Sequence, residues 1–284
     1  MQNTFLPNLS NSGLFTAFRY LHKERKKRYM DYKRFLELDK IIRNQSLTTF
    51  FQPILDLENG KTIGYEVLNR PPSTSLFPNT DLFYEFIGQT DRVFQFECFI
   101  RNISIKRLVD GLRKSPNQKS ALIFLNIHPY VLMDSNYKIG ETKQLIEEYG
   151  ISPEQVVFEI TEKQAVSDFV QFERILSHYR SQGFRIAVDD AGSGYNSLKT
   201  LVYLKPEFIK IDKSIIQNIN KTIVKQKMVS LLMNFAVESD TSIIAEGIEQ
   251  VKDYQYLRKM GIHFGQGYGL GTPKKELTPG SLIV

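Results

Sequence analysis

The sequence predicts an α/β fold, an eight-stranded barrel with its strands joined largely by helices, and three observations predict it. Short apolar runs end on a polar residue at Asn126 (ALIFLN), Glu159 (VVFEITE), Asp189, Lys210, Glu246 (SIIAEGIE) and Gln266 (HFGQGY). Between them, residues 164–182, 214–237 and 250–261 have helical spacing, so strand and helix alternate. Ahead of them, two further apolar runs flank Glu58-Asn59-Gly60-Lys61, and Asn-Gly between such runs is a strong hairpin signal. The hairpin brings the strand count to eight, and so regular an alternation favours a closed barrel over an open doubly wound sheet.

Taken in order, residues 1–13 are polar and residues 14–43 have a helical pattern carrying the basic run KERKKR and several aromatics. The charge is uneven: residues 1–47 hold 10 Lys or Arg and 4 Asp or Glu, which accounts for the net +6 and leaves the remaining chain balanced. Such a helix suits an anionic membrane, nucleic acid or a partner helix, and equally a solvated helix outside the main domain. Residues 1–43 are therefore read as a basic helical arm and 44–284 as one domain, since a barrel of roughly 250 residues nearly fills the chain. The hairpin follows, and its strands are antiparallel because four residues cannot make a parallel crossover. Its second strand ends in Glu66-Val67-Leu68-Asn69-Arg70.

The lone Cys98, in the apolar helical pattern QFECFIRNI, is core material and forms no internal disulfide. His22, His128, His178 and His263 show no zinc spacing, and no Gly-x-Gly-x-x-Gly opens a helix after the first strand. No apolar run reaches the ~18 residues of a membrane span and no signal core follows the N-terminus, which points to the cytoplasm.

Residues 185–214 organise the chemistry. An apolar run ends in adjacent carboxylates, Asp189 and Asp190, followed by Ala191-Gly192-Ser193-Gly194, a helical segment and a second run ending at Lys210 and Asp212. Neighbouring strand residues point to opposite faces, so both carboxylates share one direction only if the backbone turns there. Alone, Asp-Asp-x-Gly is equally a polar strand end with an Asx turn. The other strand ends change the balance. In a barrel they converge on one mouth lined by Glu66, Asn126, Glu159, Asp189, Asp190, Lys210, Glu246 and Gln266. Each has a structural explanation singly, such as a capping Asn126 or an ion-paired Glu159, but a core that rejects unpaired charge does not gather eight of them idly.

The set is rich in hard oxygen ligands and holds no His or Cys, which suits Mg²⁺ or Mn²⁺. Five carboxylates and an amide are enough for two ions, with an aspartate bridging, and such a pair activates water for in-line displacement at phosphorus. Lys210 then holds the water or neutralises phosphoryl charge. The residues alone point to a metal-dependent phosphodiesterase or phosphatase of unspecified substrate.

These residues resemble the EAL domain family of bacterial cyclic di-GMP phosphodiesterases. Glu66-Val67-Leu68 with Arg70 matches its namesake motif, Leu125-Asn126-Ile127-His128-Pro129 its Asn-bearing strand, and Glu159-Ile160-Thr161-Glu162 its E-x-T-E. The stretch from Asp189 to Gly194, Lys210-Ile211-Asp212, Ala245-Glu246-Gly247-Ile248-Glu249 and Gln266-Gly267-Tyr268 match the remaining blocks, so the similarity spans about residues 47–273. The resemblance implies a modified (β/α)8 TIM-type barrel with an antiparallel first strand. It implies metal binding by Glu66, Asn126, Glu159, Asp189, Asp190 and Glu246, with Lys210 contacting the water and Glu246 acting as ligand or general base. Gln52, Leu68, Arg70 and Gln266 would lie along the substrate. Glu162 would anchor the loop from Asp190 to Ser197, which would couple dimerisation to metal binding.

The implied reaction is hydrolysis of cyclic di-GMP to linear pGpG by a homodimer formed through the barrel, with no nucleic-acid polymer as partner. The basic arm is left to a protein partner or an anionic membrane. Two departures stand out: Ala191 replaces the usual Phe in the loop after the Asp pair, and His128 stands where Ser is common. The alternatives are a catalytically silent cyclic di-GMP receptor signalling through the arm, and hydrolysis of another cyclic dinucleotide or of pGpG.

Overall fold

The computed structural model describes residues 11–127, 140–161, 169–192 and 197–283. They fall into two compact units, one running up to Leu47 and including Pro71–Phe86, the other Thr48–Arg70 with the chain from Ile87 onward. In the first unit α1 (Asn11–Arg43) is a single 33-residue helix, starting slightly before the predicted position. Its Leu38 and Ile41 are buried, and elsewhere in the unit Phe77 packs edge-on against Phe83 with ring centroids 5.1 Å apart. Residues from Thr80 to Lys114, where the sequence suggested only a helical pattern around Cys98, form α2 (Thr80–Gly88) and α3 (Val93–Lys114).

The second unit is the barrel. Strands β1 (Thr48–Asp56), β2 (Thr62–Arg70), β3 (Leu122–Asn126), β4 (Val156–Thr161), β5 (Arg185–Ala191), β6 (Phe208–Ile211), β7 (Ser242–Ala245) and β8 (Phe264–Gly265) close in chain order. β1 runs antiparallel to both β2 and β8, and the other neighbours are parallel. The predicted hairpin explains the reversal. Gly60 takes φ 76°, the Asp56 carboxylate accepts from the Glu58 and Asn59 amides, and the Asn59 side chain accepts from the Lys61 amide.

Strand alternation sorts the side chains into two layers. Ile54, Phe124, Val157, Ala187, Phe208 and Ile244 form a closed apolar cluster inside the barrel, joined by Phe264. Residues of the opposite parity, such as Phe158, Ile186, Ile209 and Ile243, belong to the larger core that includes helix residues Leu176, Leu201, Leu232 and Leu257. Those helices are α5 (Phe169–Ser181), α6 (Ser197–Leu204), α8 (Ile223–Glu238) and α9 (Val251–Met260), with α4 (Glu141–Glu148) before β4.

One predicted helix is divided. Residues 214–237 form α7 (Lys213–Ile216), a short 3-10 turn at Ile219–Lys221, and α8. Asn218 sits at φ 61°, and buried Asp253 accepts from the Asn218 and Asn220 amides at 2.9 and 3.1 Å. The break is thus held by a carboxylate distant in sequence, which local periodicity does not reveal.

Candidate active site

Two residues beyond each inner-layer apolar residue, on the same face of the parallel strands, stand Asn126, Glu159, Asp189, Lys210, Glu246 and Gln266. Glu66 completes the ring from β2, directly across from Gln52 on β1. At its centre the buried Lys210 ammonium lies 2.7 Å from Glu159, 2.9 Å from Glu246, 3.2 Å from Asp189 and 3.5 Å from Glu66. Glu66 is held from both sides, accepting from the Asn126 amide at 3.3 Å and the Gln266 amide at 2.5 Å.

Asp189 and Asp190 meet the demand their adjacency imposes. β5 runs past both of them to Ala191, but Asp190 adopts φ 58° and the β5–β6 register shifts between Val188 and Ala191. That irregularity re-aims one side chain. Carboxylate oxygens of Asp189, Asp190 and Glu246 consequently lie within 4.8 Å of one another.

Burial dominates the electrostatics. It pushes Glu159 well above the ordinary carboxylate range against the pull of Lys210, with Glu66 and Asp189 adding repulsion. Asp189 is raised for the same leading reason, and Glu246 is pushed up to about 8. At Glu66 burial is outweighed by Lys210 and the Gln266 and Asn126 hydrogen bonds, and its pKa falls. Burial would depress Lys210, but Asp189, Glu159, Glu246 and Glu66 together hold it well above the usual lysine value.

The donor set fits a hard divalent cation. Glu159 meets the Lys210 ammonium at 2.7 Å through Oε1, while its buried Oε2 and the Gln266 side-chain oxygen face no hydrogen-bond donor, which leaves lone pairs for a cation.

The expected substrate residues are placed less uniformly. Leu68 and Arg70 share the face of β2 that carries Glu66 and rise beyond it toward the mouth, Leu68 half-buried and Arg70 exposed. Gln52 is buried and donates to the Gly271 carbonyl at 3.1 Å. Ala191 is fully buried beside Ile211. Glu162, His128 and residues 193–196 of the loop after the Asp pair lie outside the described residues. Sequence reasoning gave no role to Gly247 and Gly267, which follow Glu246 and Gln266. Gly247 has φ 68° and its missing side chain makes room for Lys213, while a Cβ at Gly267 would collide with the Ile248 backbone. The signal available was a glycine directly after both Glu246 and Gln266.

Residues 36–273 match the EAL domain family. Probable cyclic di-GMP phosphodiesterase PdeB of Escherichia coli (strain K12) is 32% identical over 243 residues, which cover 84% of this chain and 45% of that protein. Probable cyclic di-GMP phosphodiesterase PdeA of the same strain is 30% identical over 230 residues, or 80% of this chain and 30% of that protein. The chain thus spans less than half the length of either. The EAL enzyme Bd1971, solved with cAMP and cyclic-di-GMP bound, superposes with a TM-score of 0.78 at 25% identity, covering 92% of this chain and 73% of that one. With residues 36–273 matched to the family, which is most of this chain, the chain belongs to the EAL domain family.

Proposed function

We propose that this chain is a divalent-metal-dependent phosphodiesterase that hydrolyses cyclic di-GMP to linear pGpG. The observation that carries it is the ring of Glu66, Glu159, Asp189 and Glu246 around Lys210, with Asp190 alongside, at the mouth of the barrel. The names of PdeB and PdeA and the ligand of Bd1971 support the substrate.

In this proposal Glu66, Asn126, Glu159, Asp189, Asp190 and Glu246 hold two ions, Mg²⁺ or Mn²⁺. Bound there, they supply an activated water and stabilise charge at phosphorus. Lys210 donates a hydrogen bond to that water, and Glu246 serves either as a ligand or as the base that takes its proton. The water oxygen bonds to phosphorus as the bond to the ribose 3′ oxygen breaks, and that oxygen takes a proton from solvent, which leaves pGpG with a 5′ phosphate and a free 3′ hydroxyl. Asn126 and Gln266 orient Glu66 by their hydrogen bonds. Leu68 offers an apolar contact and Arg70 a cation where the nucleotide projects above the ring.

The catalytic domain comprises residues 44–284 and acts as a homodimer through the barrel. Exposed Val202, Tyr203, Ile223 and Val224 support such a surface. Incubating the purified chain with Mn²⁺ and cyclic di-GMP and resolving the products by chromatography tests the reaction. The expected product is pGpG, and Glu66→Ala abolishes it. Tight nucleotide binding without turnover would instead assign the chain to the receptor class.

A further inference from the structure

The proposed activity leaves the exposed side of α1 unused. Phe15, Phe18, Tyr29, Tyr32 and Leu36, with His22 and Arg25 between them, recur at alternating spacings of three and four and so form one stripe along the helix. At about 100° per residue this stripe lies opposite the buried Leu38 and Ile41. Its large side chains are open to solvent, Phe15 at 73%, Phe18 at 71% and Tyr32 at 60%. Arg19, Lys26 and Lys33 flank it, and the Lys33 ammonium sits 4.8 Å above the Tyr29 ring. Arg28 lies beside it on the other side, with Glu24 and Asp31 further round, where Asp31 pairs with Arg34 at 3.7 Å.

This distribution discriminates among occupants. A second copy in parallel register would set Arg25 against Arg25 and bring Arg28 of one helix beside Lys33 of the other. An apolar groove would bury His22 and Arg25 without partners. An anionic lipid surface does neither: aromatic rings enter the headgroup boundary, and the flanking cations extend their stems to the phosphates. The net charge of +6 carried by residues 1–47 complements such a surface. We propose that the aromatic and basic face of α1 docks on an anionic bilayer surface, with the helix lying in the interfacial plane. The proposal is independent of the phosphodiesterase reading.

Co-sedimentation of the full chain tests it, using vesicles of equal phosphatidylcholine and phosphatidylglycerol against vesicles of phosphatidylcholine alone. The expected result is binding to the anionic vesicles only, reversed by high salt. Replacing Arg19, Lys26 and Lys33 together by Gln should weaken it on the order of 100-fold. Replacing Phe18, Tyr29 and Tyr32 by Ser should abolish it, and unchanged circular dichroism of both variants would show that the fold persists. No vesicle binding, equal binding to neutral vesicles, or wild-type binding by either variant overturns the proposal. So does a concentration-dependent dimer in light scattering that the Ser variant loses while neither protein binds vesicles, an outcome that assigns the face to a second copy.

Discussion

With its ammonium 2.7 to 3.5 Å from oxygens of Glu159, Glu246, Asp189 and Glu66, Lys210 offsets the mutual repulsion of four carboxylates at once. Lys210→Met leaves them buried without a counter-charge, and in metal-free protein this should cost about 3–5 kcal/mol by urea denaturation. Glu159→Gln acts in the opposite direction. It removes a carboxylate whose ionised form burial disfavours, so the metal-free melting temperature should rise while turnover is lost. The pH dependence follows from the same shifts. Glu246 moves from 4.5 to about 8 on folding, chiefly by burial, so the folded state holds its proton more tightly. That contribution is full below 4.5 and is lost as pH rises to about 8. Glu159 and Asp189 are raised and act in the same direction, the lowered Glu66 matters only on the acid side, and the raised Lys210 stays charged throughout. Metal-free protein in EDTA should therefore melt at progressively lower temperature between about pH 5 and 8. Stabilisation by added Mn²⁺ should grow over the same interval, because the ion displaces those protons.

At the scale of elements, strand pattern was legible and distant capping was not. The apolar run ending in adjacent carboxylates in RIAVDD predicted both β5 and the need for a turn at the Asp pair, which φ 58° at Asp190 supplies. The end of α7 depends instead on Asp253 from α9, whose carboxylate is bound to two amides of the intervening turn. Asp253→Ala leaves those amides without their acceptor and should destabilise the fold by about 1–3 kcal/mol in a denaturant titration. Its effect on turnover should be smaller than that of any ring substitution, since Asp253 lies outside the ring. Gly267→Ala should affect both, because a Cβ there requires the Ile248 backbone to move and Gln266 with it. The readout is a lower melting temperature together with reduced pGpG formation.

On the scale of the whole molecule, truncation separates the helical arm from the domain. Leu38 and Ile41 are buried near the end of α1, and the family match begins at residue 36. Removing residues 1–30 spares those side chains and should leave stability and turnover near wild type. Removing residues 1–43 deletes both and should cost several kcal/mol, since each buried aliphatic side chain lost typically costs about 2–5 kcal/mol. Thermal melts of the two truncations, run beside the intact chain, check the boundary.

The antiparallel start of the barrel and the polar residue at or near the end of most strands were set by local chemistry: an Asn-Gly turn and apolar runs that end on charge. These signals lie within a few residues of one another, so sequence alone carries them. Which carboxylates would hold protons, that Gln52 would be engaged by Gly271, and that Glu66 would be clamped between Asn126 and Gln266 were decided only when segments 60 to 219 residues apart met. Burial and opposing charge act through space, and the chain acquires them only on closing into a barrel.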